Sequence, residues 1–469
     1  MHFLSVQFFL FFVFTFFGFY ATKKEKIRIS VLIGSSLFFL TSFFNTLLDF
    51  LPIFTSLVLL FLSLIGIFYL PSKIRPAGAS ISIFFNVFLF LLLKDYLQLG
   101  LNLQTIGISY ILFRGIQLIT DAGDGGLEQK DIRIEKILLF LISFLTFTAG
   151  PIQHFDQFCQ SLKKSLISSI TTINWNVFTE RSLYGAVKFC LITPLLIDTQ
   201  SNIISLNYPI ELNLGLASSI FLLYIYVSFS AYMDWMIAFG TALNFIIPDN
   251  FDRPHRANSF LDLWNRWHLT LSLNFRIYVF NPFLRMLMSS RFYKYKDMNG
   301  LLILFMVFFL LGYWHGSEVR FAIFGILVGS IAVFSKVFEK IRLFDNSNFL
   351  LSKLPPSVIT SFKAGLSFGV LSICCIFTWP GYSLSDALML LNGPIRVFSI
   401  TIISCVIAIV ICQATFLIEE LILCVDSTKL GAKILKNIPI KVGFFMVCIF
   451  TYSFAEATLP EVLNYYQRF

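Results

Sequence analysis

Long apolar segments alternate with short polar ones along almost the whole chain. Most are near the ~20 residues that a helix needs to cross a bilayer, and a backbone in hydrocarbon must satisfy its own hydrogen bonds. The pattern therefore predicts an all-α, polytopic transmembrane helical bundle of about ten to twelve spans. Short interfacial or re-entrant helices would surround a central channel, with residues 1–469 forming a single membrane-embedded domain. The apolar runs lie at 3–20, 29–48, 53–70, 79–97, 104–119, 136–150, 181–197, 213–233, 301–335, 362–379, 397–418 and 441–457.

The composition supports a membrane protein. Hydrophobic residues make up 57% of the chain and charged residues 13%, roughly half the charged share of a soluble domain. These values exclude a soluble globule, a disordered chain and a disulfide scaffold. The net charge of +9 is accounted for by lysines and arginines in cytoplasmic loops, so we expect no nucleic-acid partner. The eight cysteines form no Cys-x-x-Cys pair, and neither a metal site nor redox chemistry is predicted.

The N-terminal apolar segment is expected to be a retained span. A basic cluster at 23–28 follows residues 3–20 instead of preceding them, and no small-residue cleavage site is visible. This order places the N-terminus outside and the cluster inside. Four later basic loops are also expected at the cytoplasmic face: 253–256, 291–296, 336–342 and 429–441.

The first interruption of the apolar pattern is the polar, aromatic stretch 248–282. Ser259 is suited to cap a helix, with Asp262 three residues on and Arg266 one turn further. A continuous helix from there would place four residues on one face: Trp264, His268, Leu271 and Phe275. One interpretation is an interfacial amphipathic helix in which His268 is simply packed and hydrogen-bonded. The other is that His268 is functional, because a titratable group on an apolar face is costly.

The second interruption, 312–320, contains two glycines, a histidine, a glutamate and an arginine. Its flanks, Leu301–Leu311 and Phe321–Val333, are each too short to span comfortably alone and together too long, which predicts a break at membrane depth around a protein-lined interior. There His315 would suit general base chemistry, and Glu318 could orient its imidazole if the segment were helical. The alternative is an ordinary loop between two spans, with His315 exposed at a membrane surface.

Both interruptions carry a family resemblance. Leu263–His268 reads Leu-Trp-Asn-Arg-Trp-His and Gly312–Gly316 reads Gly-Tyr-Trp-His-Gly. Together they resemble the membrane-bound O-acyltransferase superfamily, specifically its bacterial branch of alginate O-acetylation and D-alanyl transfer proteins. Further matches follow the order of that branch, giving a family-like core of about 100–390: Gly107–Tyr110, Ala149–Ile152, Pro248–Pro254, and Trp379 before Ser383–Ala387.

The resemblance implies transfer of an acyl group, with acetyl as the first candidate, from a cytoplasmic thioester to a hydroxyl. The donor would be acyl-CoA or a phosphopantetheine carrier, with no bound cofactor and no metal. The protein would lie in the bacterial cytoplasmic (inner) membrane as a multi-pass protein, serving an extracytoplasmic acyl-accepting protein or polymer such as a polysaccharide. His315 matches the catalytic histidine and would be the general base, and His268 matches a second histidine of the branch. Residues expected to line the substrate channel are Trp264, Asn265, Arg266, Trp267, Trp314 and Glu318.

Two alternatives remain open. The residues at 113–117 and those of the Trp-His motif favour D-alanyl transfer to a teichoic acid. Ser228, which stands where a common family motif has aspartate, leaves the substrate open. An acidic acyl carrier protein could dock on a cationic set that the positive-inside rule explains equally well: Arg253, Arg256, Arg291, Lys294 and Lys296. The protein could instead be a transporter with a discontinuous helix at 312–320, although no inverted repeat is visible.

Overall fold

The computed structural model describes residues 6–44, 46–100, 103, 105–127, 133–206, 208–288, 291–341, 355–379, 384–390 and 393–427. Within these ranges every regular element is helical, apart from one isolated antiparallel bridge between Phe251 and Trp267. The chain divides into two compact units. One contains the described residues up to Arg181 together with Met233–Pro248, and the other contains Ser182–Tyr232 and the described residues from Asp249 onward.

The first unit is built from seven complete helices, the beginning of α8 and the end of α10. Their bounds are α1 (Val6–Tyr20), α2 (Glu25–Thr41), α3 (Leu51–Tyr69), α4 (Arg75–Leu93), α5 (Ile108–Gly123), α6 (Ile134–Ile142), α7 (Phe155–Leu166), α8 (Trp175–Ala186) and, after α9 of the other unit, α10 (Ile210–Ala242).

The second unit contains the end of α8, most of α10 and nine complete helices. These are α9 (Thr193–Ser205), α11 (Phe260–Arg266), α12 (Leu269–Phe275), α13 (Asn281–Met288), α14 (Lys296–Tyr313), α15 (Val319–Ile341), α16 (Pro356–Cys374), α17 (Leu384–Leu390) and α18 (Pro394–Ser427).

The predicted all-α polytopic class is confirmed. Eight helices in the described part of the chain are long and apolar enough to cross a membrane. Four apolar runs counted as spans, 3–20, 29–48, 104–119 and 136–150, instead form helices that are not among these eight: α1 with 15 residues, α2 with 17, α5 with 16 and α6 with 9. The predicted span at 441–457 lies outside the described residues. The eight candidates are Leu48–Tyr69, Ser72–Leu93, Trp175–Ser205, Ile210–Ala242, Tyr293–Tyr313, Val319–Glu339, Pro356–Thr378 and Pro394–Thr415.

A fully buried arginine closes the end of α6 in the first unit. Arg114 is 1% exposed and donates to the carbonyls of Phe140 at 2.8 Å, Leu141 at 3.1 Å and Thr146 at 2.7 Å. The last carbonyls of a helix have no partner within the helix and carry its negative end. Arg114, in the segment that favoured the D-alanyl interpretation, thus supports the fold of this unit.

Helices α14 and α15 form a tightly packed hairpin in the second unit. A Cβ atom on Gly325 would lie 2.6 Å from the carbonyl oxygen of Phe309, and one on Gly312 would meet the Gly325 backbone. Only glycine permits this approach. Each helix belongs to a candidate span of 21 residues, because the polar residues beyond its apolar part continue the helix. The prediction that each flank is too short to span is therefore wrong, and the break is the short connection between two spans.

Candidate functional site

The polar stretch folds as two short helices rather than one. Ser259 caps α11 as predicted, since its Oγ accepts a hydrogen bond from the amide of Asp262 at 3.2 Å. The predicted ion pair of Asp262 and Arg266 is also confirmed, with 3.0 Å between Oδ1 of Asp262 and Nε of Arg266. The continuous helix is wrong: α11 ends at Arg266, and His268 adopts a left-handed conformation at φ 49° and ψ 51°. Trp264 and His268 consequently do not share one helical face.

The left-handed turn follows from pairing between two distant segments. Phe251 and Trp267 form the isolated bridge, and the amide of Asp252 donates to the carbonyl of Arg266 at 2.9 Å. On the other side of His268, the amide of Leu269 donates to the carbonyl of Asn250 at 3.0 Å. We call these paired segments, residues 250–252 and 266–270, the clip. A bridge that holds Trp267 extended cannot coexist with an uninterrupted helix.

His268 lies half-buried next to aromatic rings. Its ring is 4.9 Å from that of Phe229 in an edge-to-face arrangement. Its Nδ1 atom is buried and finds no hydrogen-bond partner among the described residues. Burial, reinforced by the positive charge of His315, lowers the pKa of His268 from its ordinary 6.5 to about 3. His268 is therefore a neutral imidazole at neutral pH, and the two histidines lie within electrostatic range of each other.

His315 lies at the tip of the α14–α15 hairpin. Its amide donates to the carbonyl of Gly312 at 3.2 Å, which turns the chain at the end of α14. The ring is half-buried among three aromatic side chains, with centroids 5.0 Å from Trp314, 5.9 Å from Phe324 and 6.5 Å from Phe321. Of the two alternatives for this segment, the loop between two spans is confirmed, but His315 is enclosed by rings instead of fully exposed.

The structure does not meet the condition under which Glu318 was predicted to orient His315, because the segment between α14 and α15 is not helical. The carboxylate of Glu318, whose side chain is 64% exposed, pairs with Arg320 at 3.0 Å. Arg320 also donates to the carbonyl of Trp379 at 3.3 Å, and Trp379 stacks on Phe221 with centroids 5.4 Å apart. These contacts tie the hairpin to the end of α16 and to α10.

A cavity of about 510 Å³ runs beside α14 in the same unit. It is lined along that helix from Lys296 to Leu311, which is one turn before His315. Trp264 forms part of the opposite wall and meets Phe308 edge to face at 4.8 Å. Most of the lining is apolar, whereas the charged residues among its lining are Arg276, Lys296, Asp297 and Lys336.

The predicted site residues fall into three groups. His268 and His315, 47 positions apart in the chain by their numbers, come together, with Trp314 beside His315. Trp264 and Asn265 line the cavity. The remaining three have other environments: Arg266 and Trp267 belong to the clip, and Glu318 pairs at the surface.

Sequence reasoning missed the partners that hold these groups. Asn250, Thr270 and Phe229 received no role, although Asn250 lies in a motif that carries the family resemblance. The motif was the only available signal, since the pairing that gives Asn250 its role spans many residues. Among the described residues, no group of three or more His, Cys, Asp and Glu side chains could hold a metal ion.

The fold and site define a class of protein: a multi-pass helical membrane protein with two histidines within electrostatic range beside a largely apolar cavity. The chain belongs to the membrane-bound O-acyltransferase family, whose model matches residues 37–350.

Relatives with names of two kinds are similar to this chain. A teichoic acid D-alanyltransferase of Bacillus subtilis is 28% identical over 245 residues, which cover 50% of this chain and 60% of the relative. One from Streptococcus thermophilus is 27% identical over 241 residues, covering 48% and 55%. The probable alginate O-acetylase AlgI of Pseudomonas aeruginosa is 28% identical over 228 residues, covering 48% and 41%. The matched region thus spans 60% or less of each of these relatives.

Proposed function

We propose that this protein is an O-acyltransferase that passes an acyl group from a thioester donor to a hydroxyl, for modification of an extracytoplasmic polymer. The observation that carries the proposal is that His315, one turn beyond the end of the cavity along α14, lies within electrostatic range of a neutral His268. Membership of the O-acyltransferase family supports the reaction class. Relatives named for acylation of teichoic acid and alginate support a polymer of the cell envelope.

In this proposal His315 is the general base. Its imidazole takes the proton of the acceptor hydroxyl as the hydroxyl oxygen attacks the thioester carbonyl. The new carbon–oxygen bond forms, the carbon–sulfur bond breaks, and the imidazolium returns the proton to the departing thiolate. A neutral His268 adds no positive charge that would disfavour the imidazolium of His315, and it can polarise the donor carbonyl as a hydrogen-bond donor.

The cavity suits the donor. The distance along α14 from Lys296 to Leu311 is roughly 22 Å at 1.5 Å per residue. A thioester on a phosphopantetheine arm, alone or within acyl-CoA, has an extended chain with phosphate at one end. Lys296, Arg276 and Lys336 could hold that phosphate by charge-assisted hydrogen bonds, while the apolar lining accommodates the arm. An acidic carrier protein could approach the neighbouring basic residues at the cytoplasmic face of a bacterial inner membrane.

Both acetyl and D-alanyl groups remain candidates for transfer. Identity is the same, 28%, to a D-alanyltransferase and to an O-acetylase. The residues at 113–117 and the Trp-His motif favour D-alanyl transfer, and the match covers 60% of the D-alanyltransferase but 41% of the O-acetylase. The transporter alternative loses its structural basis, because 312–320 connects two helices and is not a break within one.

A labelled-donor assay tests the proposal. Purified protein in liposomes would be supplied with acetyl-CoA, acetyl carrier protein or D-alanyl carrier protein, each with a labelled acyl group, and with a hydroxyl acceptor. We expect label in the acceptor from one donor class, and loss of transfer in His315→Gln. His154→Gln, a histidine in the first unit, is the matched control and should transfer normally. Equal transfer by wild type and His315→Gln would exclude His315 as the base, and no transfer from any donor would contradict the function.

A further inference from the structure

The strained backbone of His268 requires an explanation. A left-handed conformation is uncommon for residues other than glycine, and it persists only where the surroundings enforce it. His268 is flanked on one side by the bridged Trp267 and on the other by the start of α12. The residues on both sides pair with the segment beginning at Asn250.

Asn250 makes the contacts that follow His268. Its carbonyl accepts from the amide of Leu269 at 3.0 Å. Its side-chain Oδ1 accepts twice from Thr270, from the amide at 3.0 Å and from Oγ1 at 2.9 Å. Asn250 is 1% exposed, so water does not compete for these bonds. One buried side chain therefore fixes the first turn of α12 directly after the strained residue.

The direction of the His268 ring depends on this turn. The clip fixes the φ and ψ of His268 and so sets the direction in which its ring points. The ring contacts that of Phe229, and its Nδ1 atom is buried. If the first turn of α12 were released, His268 could relax to an ordinary conformation, which would turn its ring away.

We infer that Asn250 is a positioning residue that sets the ring of His268 through Thr270. The inference rests on the proposed function, because that function gives His268 its role of polarising the donor carbonyl. Asn250 touches no reacting atom in this scheme, and it acts only by holding the backbone of its neighbour.

Chemical modification of His268 tests the inference without relying on transfer. Diethyl pyrocarbonate acylates accessible neutral imidazoles, and peptide mass spectrometry gives a rate for each of the five histidines. The full-length protein in detergent would be compared as wild type, Asn250→Ala, Thr270→Val and Thr270→Ser. Thr270→Ser keeps the Oγ1 donor and Thr270→Val removes it, while both keep the amide. The rate at His154 serves as the internal reference.

We expect His268 to react about tenfold faster in Asn250→Ala, with a smaller increase in Thr270→Val and the wild-type rate in Thr270→Ser. In the transfer assay, kcat should fall by about 10- to 100-fold in Asn250→Ala with KM nearly unchanged, because misplacement by about 1 Å has effects of this size. Thr270→Ser should again match the wild type.

The outcomes separate the two proposals. If Asn250→Ala keeps the wild-type melting temperature and the wild-type His268 rate, Asn250 does not position His268. If Asn250→Ala fails to fold, Thr270→Val against Thr270→Ser decides in the same way. If the wild type transfers no acyl group but the modification rates follow the expected order, the result supports the positioning of His268 by Asn250 and contradicts the proposed function.

Discussion

The two histidines of the site are held in place by different kinds of structure. His268 is a strained residue in a clip of hydrogen bonds between segments that are distant in sequence. His315 sits on the tip of two helices whose glycines allow close packing, among aromatic rings. The first is positioned by directional bonds at short range and the second by the packing of whole helices. Substitutions should therefore affect the two residues in different ways.

The largest expected effect separates the chemistry of the two rings. His315→Gln should reduce kcat by about 10²- to 10⁴-fold, the usual contribution of a general base. His268→Gln should cost less, about 10²-fold at most, because the side-chain amide of Gln can still donate a hydrogen bond to the donor carbonyl. Steady-state kinetics with the active donor would measure both. Equal losses in the two variants would contradict the assignment of distinct roles.

The next effect concerns the hairpin. Gly325→Ala places a Cβ atom 2.6 Å from the carbonyl oxygen of Phe309, so the helices must separate. We expect a loss of about 1–3 kcal/mol in stability and a fall in transfer as the tip moves. Gly34→Ala, inside α2 of the first unit and also with open space at its Cβ, is the matched control and should reduce neither. Thermal unfolding in detergent would report the stability, and an undisturbed Gly325→Ala variant would show that packing does not position His315.

A smaller effect is a pH dependence of stability that originates at His268. Its pKa is lowered to about 3 in the folded state from the ordinary value of 6.5. The neutral form is thus favoured by folding, so His268 stabilises the protein above pH 6.5 and this contribution is lost as the pH falls toward 3. Relative to the wild type, His268→Gln should lose less stability between pH 7 and pH 4. If the melting temperatures of the wild type and His268→Gln fall equally from pH 7 to pH 4, the pKa of His268 is the same in the folded and unfolded states and the prediction is wrong.

The smallest effect is expected at Arg320. Arg320→Gln removes the pair with Glu318 and the bond to the Trp379 carbonyl, and a few-fold loss of transfer should follow from a looser tip. Glu318→Gln removes only the largely exposed partner. Such pairs contribute about 0–1 kcal/mol, so this variant should resemble the wild type. If transfer falls more in Glu318→Gln than in Arg320→Gln, the carboxylate of Glu318 has a functional role of its own.

The sequence was sufficient for the class of fold, and it singled out His315 as a candidate for the chemistry. Length and apolarity predict helices in a membrane whatever their arrangement, and His315 is set apart by its polar surroundings. Ser259 and the pair of Asp262 and Arg266 were also predicted correctly, because capping and pairing one turn apart are local.

The errors arose where distant residues compete with local pattern. Helical periodicity over 259–275 was interrupted by pairing with Phe251, which no local window contains. The apolar flanks of His315 are shorter than the helices that contain them, because the helices continue through polar residues such as Lys296 and Lys336. Lysine side chains near the end of a span extend toward water, so the helix can continue beyond its apolar part.

The α14–α15 hairpin has a consequence for how this protein enters the membrane. By the positive-inside rule the lysines at its base, Lys296 and Lys336, would remain on the cytoplasmic side, and the tip would then cross the bilayer during synthesis. Within the stretch that crosses, Glu318 and Arg320 neutralise each other, which reduces the cost of translocating charge. With glycines already matched across the two helices, the pair can insert as one preassembled unit. The part of the chain that bears His315 would then acquire its orientation before the rest of the second unit assembles around it.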